Sequence, residues 1–186
     1  MKTSLLKMFP TTASITEDFL TDKEVEYLLQ TVKNSKSKDH GLLLGDATSS
    51  HDTGNILEKD TPIYDKIVKK LNEYTSAMGL YDAKILHSWF NIQKPNSMID
   101  VHNHHNSKIS GALYLQVDED SSKLIFHDIH PFHNLRERTQ DNEYNFHRYS
   151  IKPTVGMLVL FPSWLNHSGG VNQSKERIVI SFNAVL

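Results

Sequence analysis

Two histidines of this sequence lie close together, and a third lies far downstream, in a pattern that could bind a metal ion. His102 and His104 are two positions apart, and His167 follows the apolar segment 157–165. Side chains alternate between the two faces of a strand, so an extended strand would place both imidazoles of the pair on one face. Two neighbouring imidazoles and one distant ligand can bind ferrous iron and leave coordination positions open. The spacing therefore indicates iron-dependent oxygen chemistry.

The composition limits the possible metal ligands to nitrogen and oxygen atoms. The 186 residues include 11 histidines and no cysteine, which excludes disulfides, zinc–thiolate sites, iron–sulfur clusters and cysteine nucleophiles.

The formal net charge of −2 argues against a general nucleic-acid-binding surface, which needs clustered positive charge. Lys7 interrupts the apolar stretch near the amino terminus, and no apolar run is long enough to span a membrane. The sequence therefore favours a cytoplasmic protein in a reducing setting.

Apolar periodicity predicts two helices in the first part of the chain and strands after them. Thr21 and Glu24 form a capping-box pattern before one helical stripe, and a second stripe begins near Thr61-Pro62 and would end at Gly79. The polar stretch 35–55 is predicted to be a loop. From residue 83 onward the apolar pattern alternates. The predicted strands are 85–92, 98–104, 109–117, 122–127, 147–152, 156–162 and 176–185.

Many short strands with regular turns indicate an antiparallel sandwich or barrel and disfavour a parallel βαβ sheet. The chain is predicted to be one domain over residues 1–186, in which 1–82 is a helical support and 83–186 is the β core. The segment 128–146 alternates little, and we expect it to be a long lid or substrate-facing loop. A homodimer is an open alternative to a monomer.

Arg177 lies ten residues after His167, inside an alternating apolar run. It shares one strand face with Ser181 and Asn183, whereas Ile178 and its alternating neighbours occupy the other face. An inward-facing guanidinium needs an anion, and a carboxylate can accept two hydrogen bonds from it. A face with these three side chains beside a metal ligand is what a dicarboxylate co-substrate would require. An ordinary surface arginine is the alternative.

Taken together, these motifs resemble the iron(II)/2-oxoglutarate-dependent oxygenase superfamily, and within it a branch of oxygenases common in marine bacteria and phages. The resemblance covers about residues 85 to 186, and the helical start is similar to that of prolyl-hydroxylase-type members. The segments that carry the resemblance are His102-x-His104, Ser110-Gly-Ala-Leu-Tyr-Leu115, Gly156-Met-Leu-Val-Leu-Phe-Pro162, the tail Ser163-Trp-Leu-Asn-His167, and Arg177.

The resemblance implies a mainly β protein with N-terminal helices (α+β), whose core is a double-stranded β-helix, or jelly roll, with iron at its mouth. It implies that His102, His104 and His167 bind the metal, and that Arg177 pairs with the distal carboxylate of 2-oxoglutarate. Tyr114 resembles a tyrosine that contacts the same carboxylate in prolyl-hydroxylase relatives, although a core aromatic facing away is the alternative. Further candidates for the co-substrate pocket are Asn91, Ser110, Ser181 and Asn183. Candidates for orienting the metal-bound imidazoles are Asp100 and Asn103.

The implied function is that of an iron(II)/2-oxoglutarate-dependent dioxygenase, a hydroxylase that uses dioxygen on an unidentified substrate. One residue departs from the pattern, because the superfamily motif is HxD and His104 stands at the carboxylate position. Two alternatives stay open: a cupin-like three-histidine dioxygenase that does not use 2-oxoglutarate, and a non-catalytic jelly-roll protein that binds metal. Cupins carry a glutamate shortly after HxH, and the stretch 106–110 has none. Only the 2-oxoglutarate-dependent interpretation needs Arg177 to face inward beside the metal.

Overall fold

The computed structural model describes residues 2–4, 10–129, 139–140, 142 and 145–186. Its helices are α1 (Asp22–Lys33) and α2 (Pro62–Ala77). Its strands are β1 (Ser14–Thr16), β2 (Leu43–Leu44), β3 (Ala47–Ser49), β4 (Lys84–Gln93), β5 (Met98–Ile99), β6 (Ile109–Gln116), β7 (Leu124–His127), β8 (Arg148–Ile151), β9 (Leu158–Pro162), β10 (His167–Gly169) and β11 (Arg177–Val185).

Both predicted helices are confirmed, and their ends follow from local sequence. At the start of α1, Thr21 Oγ1 accepts a hydrogen bond from the Glu24 backbone N–H, and the Glu24 carboxylate accepts one from the Thr21 N–H. Thr61 caps α2 by accepting from the Tyr64 N–H, and proline occupies the first turn, where an N–H would have no helical partner. Gly79 has a φ of 70° just after α2, which suits a helix terminator.

A six-stranded antiparallel sheet, in the order β1-β9-β6-β11-β4-β3, forms the main layer of the protein. A three-stranded sheet (β10-β7-β8) and a two-stranded sheet (β2-β5) complete the β structure, and their pairings are also antiparallel. The predicted mainly β architecture with N-terminal helices is confirmed. No helix in the described part of the chain is long and apolar enough to cross a membrane.

The two faces of the main sheet pack against different layers. On one face, Ile178, Ile180 and Phe182 of β11 pack in an apolar cluster with residues of α1 and α2. On the other face, Val179 of β11 belongs to a second cluster, which includes side chains of β7 and β8 in the three-stranded sheet. Close packing dictates a glycine at position 111, because a Cβ there would lie 2.1 Å from the Phe182 ring. The site described below lies on the second face.

Two of the predicted elements were wrong in part. The stretch 35–55, predicted as a loop, contains β2 and β3, and β3 pairs with β4 at the edge of the main sheet. The strand predicted over 98–104 ends at Ile99, and an isolated bridge then joins His102 to His167. In both cases long-range pairing, and not local side-chain pattern, decides the structure. Most of the loop predicted over 128–146 lies outside the described residues.

Candidate active site

The three histidines predicted to bind metal lie together in the structure. The ring centroids are 4.2 Å apart for His102 and His167, 5.1 Å for His102 and His104, and 5.3 Å for His104 and His167. One potential ligand nitrogen from each ring lies within 4.8 Å of the other two. We call these three residues the triad. Their arrangement is compatible with binding of a single metal ion.

Backbone hydrogen bonds bring the distant members of the triad together. The His102 N–H donates to the His167 carbonyl and the His167 N–H donates to the His102 carbonyl, both at 2.9 Å. The His104 N–H donates to the Ser163 carbonyl at 2.8 Å. The segment after β5 is therefore held along the segment that leads into β10. This pairing keeps the HxH side chains beside His167 although the regular strand ends at Ile99.

Two rings of the triad are oriented by the same kind of contact. Nδ1 of His102 lies 2.8 Å from the Asp100 carbonyl oxygen, and Nδ1 of His167 lies 2.8 Å from the Leu165 carbonyl oxygen. A proton on each Nδ1 satisfies these contacts and leaves the Nε2 lone pair available for a metal. The Asp100 contact to the ring therefore comes from its backbone and not from its carboxylate. Asn103 donates its side-chain amide to Asn166 Oδ1 at 2.7 Å.

Burial keeps the triad imidazoles uncharged at neutral pH. Desolvation, followed by the proximity of His102, lowers the pKa of His104 to about 4 and that of His167 to about 3. Desolvation also lowers the pKa of His102. A metal ion binds only the deprotonated imidazole nitrogen, so these shifts favour metal binding over proton binding.

A cavity of about 300 Å³ is lined by the triad and by polar residues of four strands of the main sheet. The polar residues on its wall include five predicted pocket residues: Asn91, Ser110, Tyr114, Arg177 and Ser181. Asn183, also predicted for this pocket, is not part of the wall. Its Oδ1 accepts a hydrogen bond of 2.7 Å from Ser110 Oγ, so it contacts a wall residue from behind.

Arg177 is buried in this cavity without a carboxylate partner among the described residues. The whole residue is only 4% exposed to solvent. Its Nη1 donates to Gln93 Oε1 at 2.5 Å, and its guanidinium carbon lies 5.2 Å from the centroid of the Tyr114 ring. The neighbouring carboxylate, Glu176, pairs with Lys94 instead. Burying a guanidinium without an anion is costly, which indicates that this cavity binds one.

Three buried hydrogen-bond donors near Arg177 lack an acceptor within the described part of the chain. They are Nε of Arg177, Nε2 of Gln93 and the hydroxyl of Tyr114, and all three residues line the cavity. Burial raises the pKa of the Tyr114 hydroxyl, so it stays protonated and able to donate. Buried polar atoms in native proteins nearly always have partners. A set made only of donors calls for an acceptor with several lone pairs, and a carboxylate meets that requirement.

The residues of this wall that were not predicted include Gln93, His40 and His51. Gln93 lies directly opposite Arg177 in the β4–β11 register, and its spacing of two from Asn91 on one strand was the available signal. His40 and His51 also line the cavity, and they come from the stretch that was predicted to be a loop. No periodic pattern marks them, since β2 and β3 are only two and three residues long.

Comparison with known proteins identifies relatives at the level of family and of fold. A family model described as "Putative 2OG-Fe(II) oxygenase" matches residues 87–183, which is more than half of the chain. No curated protein matches the sequence. Similar solved structures cover nearly the whole chain, and three of them serve as examples.

The collagen prolyl hydroxylase of Paramecium bursaria Chlorella virus-1, in complex with 2-oxoglutarate, has a TM-score of 0.61 at 16% identity, over 94% of this chain and 96% of its own. A Pseudomonas putida prolyl-4-hydroxylase has a TM-score of 0.63 at 15% identity, over 95% of this chain and 94% of its own. HygX from Streptomyces hygroscopicus, with nickel and 2-oxoglutarate bound, has a TM-score of 0.65 at 10% identity, over 94% of this chain and 83% of its own. These likenesses confirm the predicted double-stranded β-helix fold.

Proposed function

Because the chain belongs to the 2OG-Fe(II) oxygenase family, we propose that it is a hydroxylase in which His102, His104 and His167 bind ferrous iron. In the same proposal, Arg177 binds the distal carboxylate of 2-oxoglutarate. Family membership establishes the enzyme class, with iron(II) as cofactor and 2-oxoglutarate as co-substrate. The observation that carries the residue assignment is the buried guanidinium of Arg177, which has no carboxylate partner among the described residues and lies in the cavity that the triad lines.

The donor atoms of the triad fit ferrous iron. Three uncharged imidazoles suit iron(II) and leave coordination positions for a co-substrate and dioxygen. Because His104 replaces the usual carboxylate, the loaded site carries one more positive charge than an HxD site would. Of the two negative charges of 2-oxoglutarate, one would pair with Arg177 and the other would offset one charge of the metal, so the loaded HxH site would keep one net positive charge. When bound, the iron and 2-oxoglutarate supply the oxidising power for attack on a C–H bond.

The residues around Arg177 orient the co-substrate. Gln93 Oε1 accepts from Nη1 and thereby fixes the plane of the guanidinium. Nε of Arg177, the Gln93 amide and the Tyr114 hydroxyl are then free to donate to the two oxygens of the distal carboxylate. Asn91, Ser110 and Ser181 offer further polar contacts along the wall. Asn183 acts as a positioning residue, because it holds the Ser110 hydroxyl through the hydrogen bond described above.

Apolar residues on the remaining wall exclude water from the cavity. Ile99, Leu124 and Phe161 line it beside the triad, and the Phe161 ring packs edge-on against His167 at 4.7 Å between centroids. Dry walls strengthen the electrostatic interactions of Arg177 with its anion, since water no longer screens them.

The two alternatives account for the triad but not for Arg177. A cupin-like three-histidine dioxygenase is favoured by one observation, the all-imidazole ligand set. Neither that enzyme nor an inert metal site needs a buried guanidinium with unpaired donors in the metal cavity. The 2-oxoglutarate-dependent mechanism uses every one of these groups, and it is the function that the geometry supports best.

We further propose that residues 1–186 act as one domain. The apolar cluster that joins both helices to the main sheet supports this proposal. Dioxygen and an unidentified organic substrate complete the set of reactants. A cytoplasmic location, in which the iron would stay reduced, remains a prediction. The same holds for the homodimer and for the expected lack of nucleic-acid binding.

An anaerobic titration of the tag-free protein with iron(II), with and without 2-oxoglutarate, tests this function. We expect a weak visible charge-transfer band only when both are present, and formation of succinate when air is admitted. His102→Ala and His167→Ala should lose iron, whereas the control His127→Ala, outside the cavity wall, should keep it. Iron binding without the band, together with no succinate under air, would contradict the proposal.

A further inference from the structure

A second group of metal-binding side chains lies beside the same cavity, in the segment 38–52. His40, His51 and Asp52 each offer one ligand atom, and these atoms lie within 4.8 Å of one another. His40 and His51 line the cavity wall. The mechanism proposed above uses none of these three residues, and none of the sequence motifs includes them.

The spacing within this second group fits a shared ion. Nδ1 of His51 lies 3.0 Å from Oδ1 of Asp52, and the His40 and His51 ring centroids are 5.1 Å apart. Two ligand atoms that each lie about 2.1 Å from one ion are separated by roughly 3.0–3.4 Å, depending on the angle between them. His40 needs only a small movement to join them. Its Nδ1 accepts a single long hydrogen bond of 3.3 Å from the Leu42 N–H, so the ring can turn at little cost.

The backbone that carries the group is held in place by the main sheet. Lys38 and Ser49 exchange backbone hydrogen bonds of 3.0 and 2.8 Å, and the Ser50 N–H donates to the Phe90 carbonyl of β4 at 3.0 Å. The Ser49 hydroxyl accepts from the His51 N–H at 3.1 Å. The backbone that carries the ligands is therefore fixed at the edge of a sheet, which favours a defined metal site.

Trp89 contacts both this group and the triad. Its ring lies edge-on to His51, with centroids 4.9 Å apart, and edge-on to His104, with centroids 5.6 Å apart. An ion bound by His51 would therefore lie on the wall of the same cavity. The two groups share no residue, so substitutions can remove one group without removing a ligand of the other.

We propose that His40, His51 and Asp52 bind a second divalent transition-metal ion, independently of the triad. Two imidazoles and one carboxylate suit Zn²⁺, Co²⁺ or Ni²⁺. The His51 and Asp52 side chains are 37% and 50% exposed, which leaves room for water or for an oxygen atom of a bound substrate to complete the coordination. This site adds a binding function to the protein and does not depend on the use of 2-oxoglutarate.

Lys38 would compete with the metal ion for the carboxylate of Asp52. Its Nζ lies 3.1 Å from Asp52 Oδ2, and the side chains are 59% and 50% exposed. An exposed ion pair of this kind contributes little to stability, so a divalent ion can displace the ammonium group. Removal of the lysine charge should therefore tighten metal binding, whereas neutralisation of Asp52 should weaken it.

The test is equilibrium dialysis of the tag-free, metal-stripped protein against Co²⁺, followed by measurement of the bound metal. We expect two ions per wild-type chain, one in His40→Ala/His51→Ala, and one in His102→Ala/His167→Ala. The matched control is His87→Ala, whose ring is 4.8 Å from that of His51 but is not part of the group, and it should keep two ions. Circular dichroism verifies that each variant is folded.

Two single charge changes keep the test decisive even where a double variant does not fold. Lys38→Met should tighten the second ion roughly threefold. Asp52→Asn should weaken it at least about tenfold. A wild-type chain that binds one ion only overturns the proposal, as does a second ion that survives in His40→Ala/His51→Ala. Equal loss of the second ion in His87→Ala contradicts the ligand set.

Discussion

Both faces of strand β11 contain deeply buried side chains, but the faces differ in whether their polar atoms have partners. The side chains that face the helices, such as Ile178, Ile180 and Ala184, are apolar and between 0% and 6% exposed. On the opposite face, Arg177 is just as deeply buried at 4% exposed, and its Nε has no partner among the described residues. Burial alone therefore does not mark a functional site in this fold. Burial of unpaired donors does.

The cavity face contains buried donors that lower the stability of the protein as long as no ligand is bound. A buried guanidinium and two unpaired donors make the unloaded protein less stable than an apolar wall would. Ligand binding supplies the missing acceptor and recovers that free energy. The helix-facing side has no such need, since apolar contacts satisfy it completely. Stability and binding should therefore respond oppositely to substitutions on the two faces.

The largest expected effect is on stability, from truncation of a side chain on the helix-facing side. Ile180→Ala should lower the free energy of unfolding by about 2–5 kcal/mol, because it removes packed atoms at a fully buried position and leaves a cavity. Urea unfolding measures this change. The affinity of the folded, iron-loaded variant for 2-oxoglutarate should equal that of the wild type. Weaker binding with unchanged stability would reverse the assignment of the faces.

Replacement of Arg177 should have the opposite profile. Arg177→Met should weaken 2-oxoglutarate binding about 100-fold, since the distal carboxylate loses its charged partner. Iron binding should be unchanged, and the free energy of unfolding of the unloaded protein should stay equal or rise. Anaerobic calorimetric titration and urea unfolding measure these quantities. Iron loss comparable to the loss of 2-oxoglutarate affinity would show that Arg177 supports the metal site instead.

A smaller change on the cavity face removes one donor without altering charge or shape. Tyr114→Phe should weaken 2-oxoglutarate binding about tenfold, which corresponds to one lost hydrogen bond. The free energy of unfolding of the unloaded protein should stay equal or rise, because a buried hydroxyl without a partner is removed. The aromatic contact with Arg177 is retained in this variant. Tyr149→Phe, at an exposed position in β8, is the matched control and should behave as wild type. Equal effects from both changes would argue against a role of the Tyr114 hydroxyl.

The metal-free stability should also depend on pH. The pKa values of about 4 for His104 and about 3 for His167 lie below the ordinary value of 6.5. Below pH 6.5 the unfolded chain therefore takes up protons that the folded chain does not, and stability falls as the pH decreases towards 4. His104→Gln should reduce this dependence, as measured by thermal unfolding without metal. An unchanged slope would mean that His104 is not desolvated.

Much of the scaffold and the centre of the site follow from local sequence, and the rest depends on long-range pairing. The caps at Thr21 and Thr61 predict both helices, and the alternation in β11 predicts which side chains share a face with Arg177. The triad follows from the HxH spacing and the position of His167. Gln93 could not be assigned a role, because its contact with Arg177 exists only in the β4–β11 register.

His40 and His51 escaped prediction for a similar reason. The strands beside them are too short to show a period, and they form only by pairing with β4 and β5. Asp100 illustrates a different limit. Its proximity to His102 was predicted, but it is the backbone carbonyl that contacts the ring, and side-chain chemistry in the sequence carries no signal for such a contact.

The central claim is that the unpaired donors on the cavity face recognise the distal carboxylate of 2-oxoglutarate. The most direct measurement compares the affinity of iron-loaded protein for 2-oxoglutarate and for 2-oxopentanoate, which has the same chain length but lacks that carboxylate. Wild-type protein should prefer 2-oxoglutarate about 100-fold, and Arg177→Met should bind the two compounds almost equally. A preference that persists in Arg177→Met, or that is absent from the wild type, would contradict the claim.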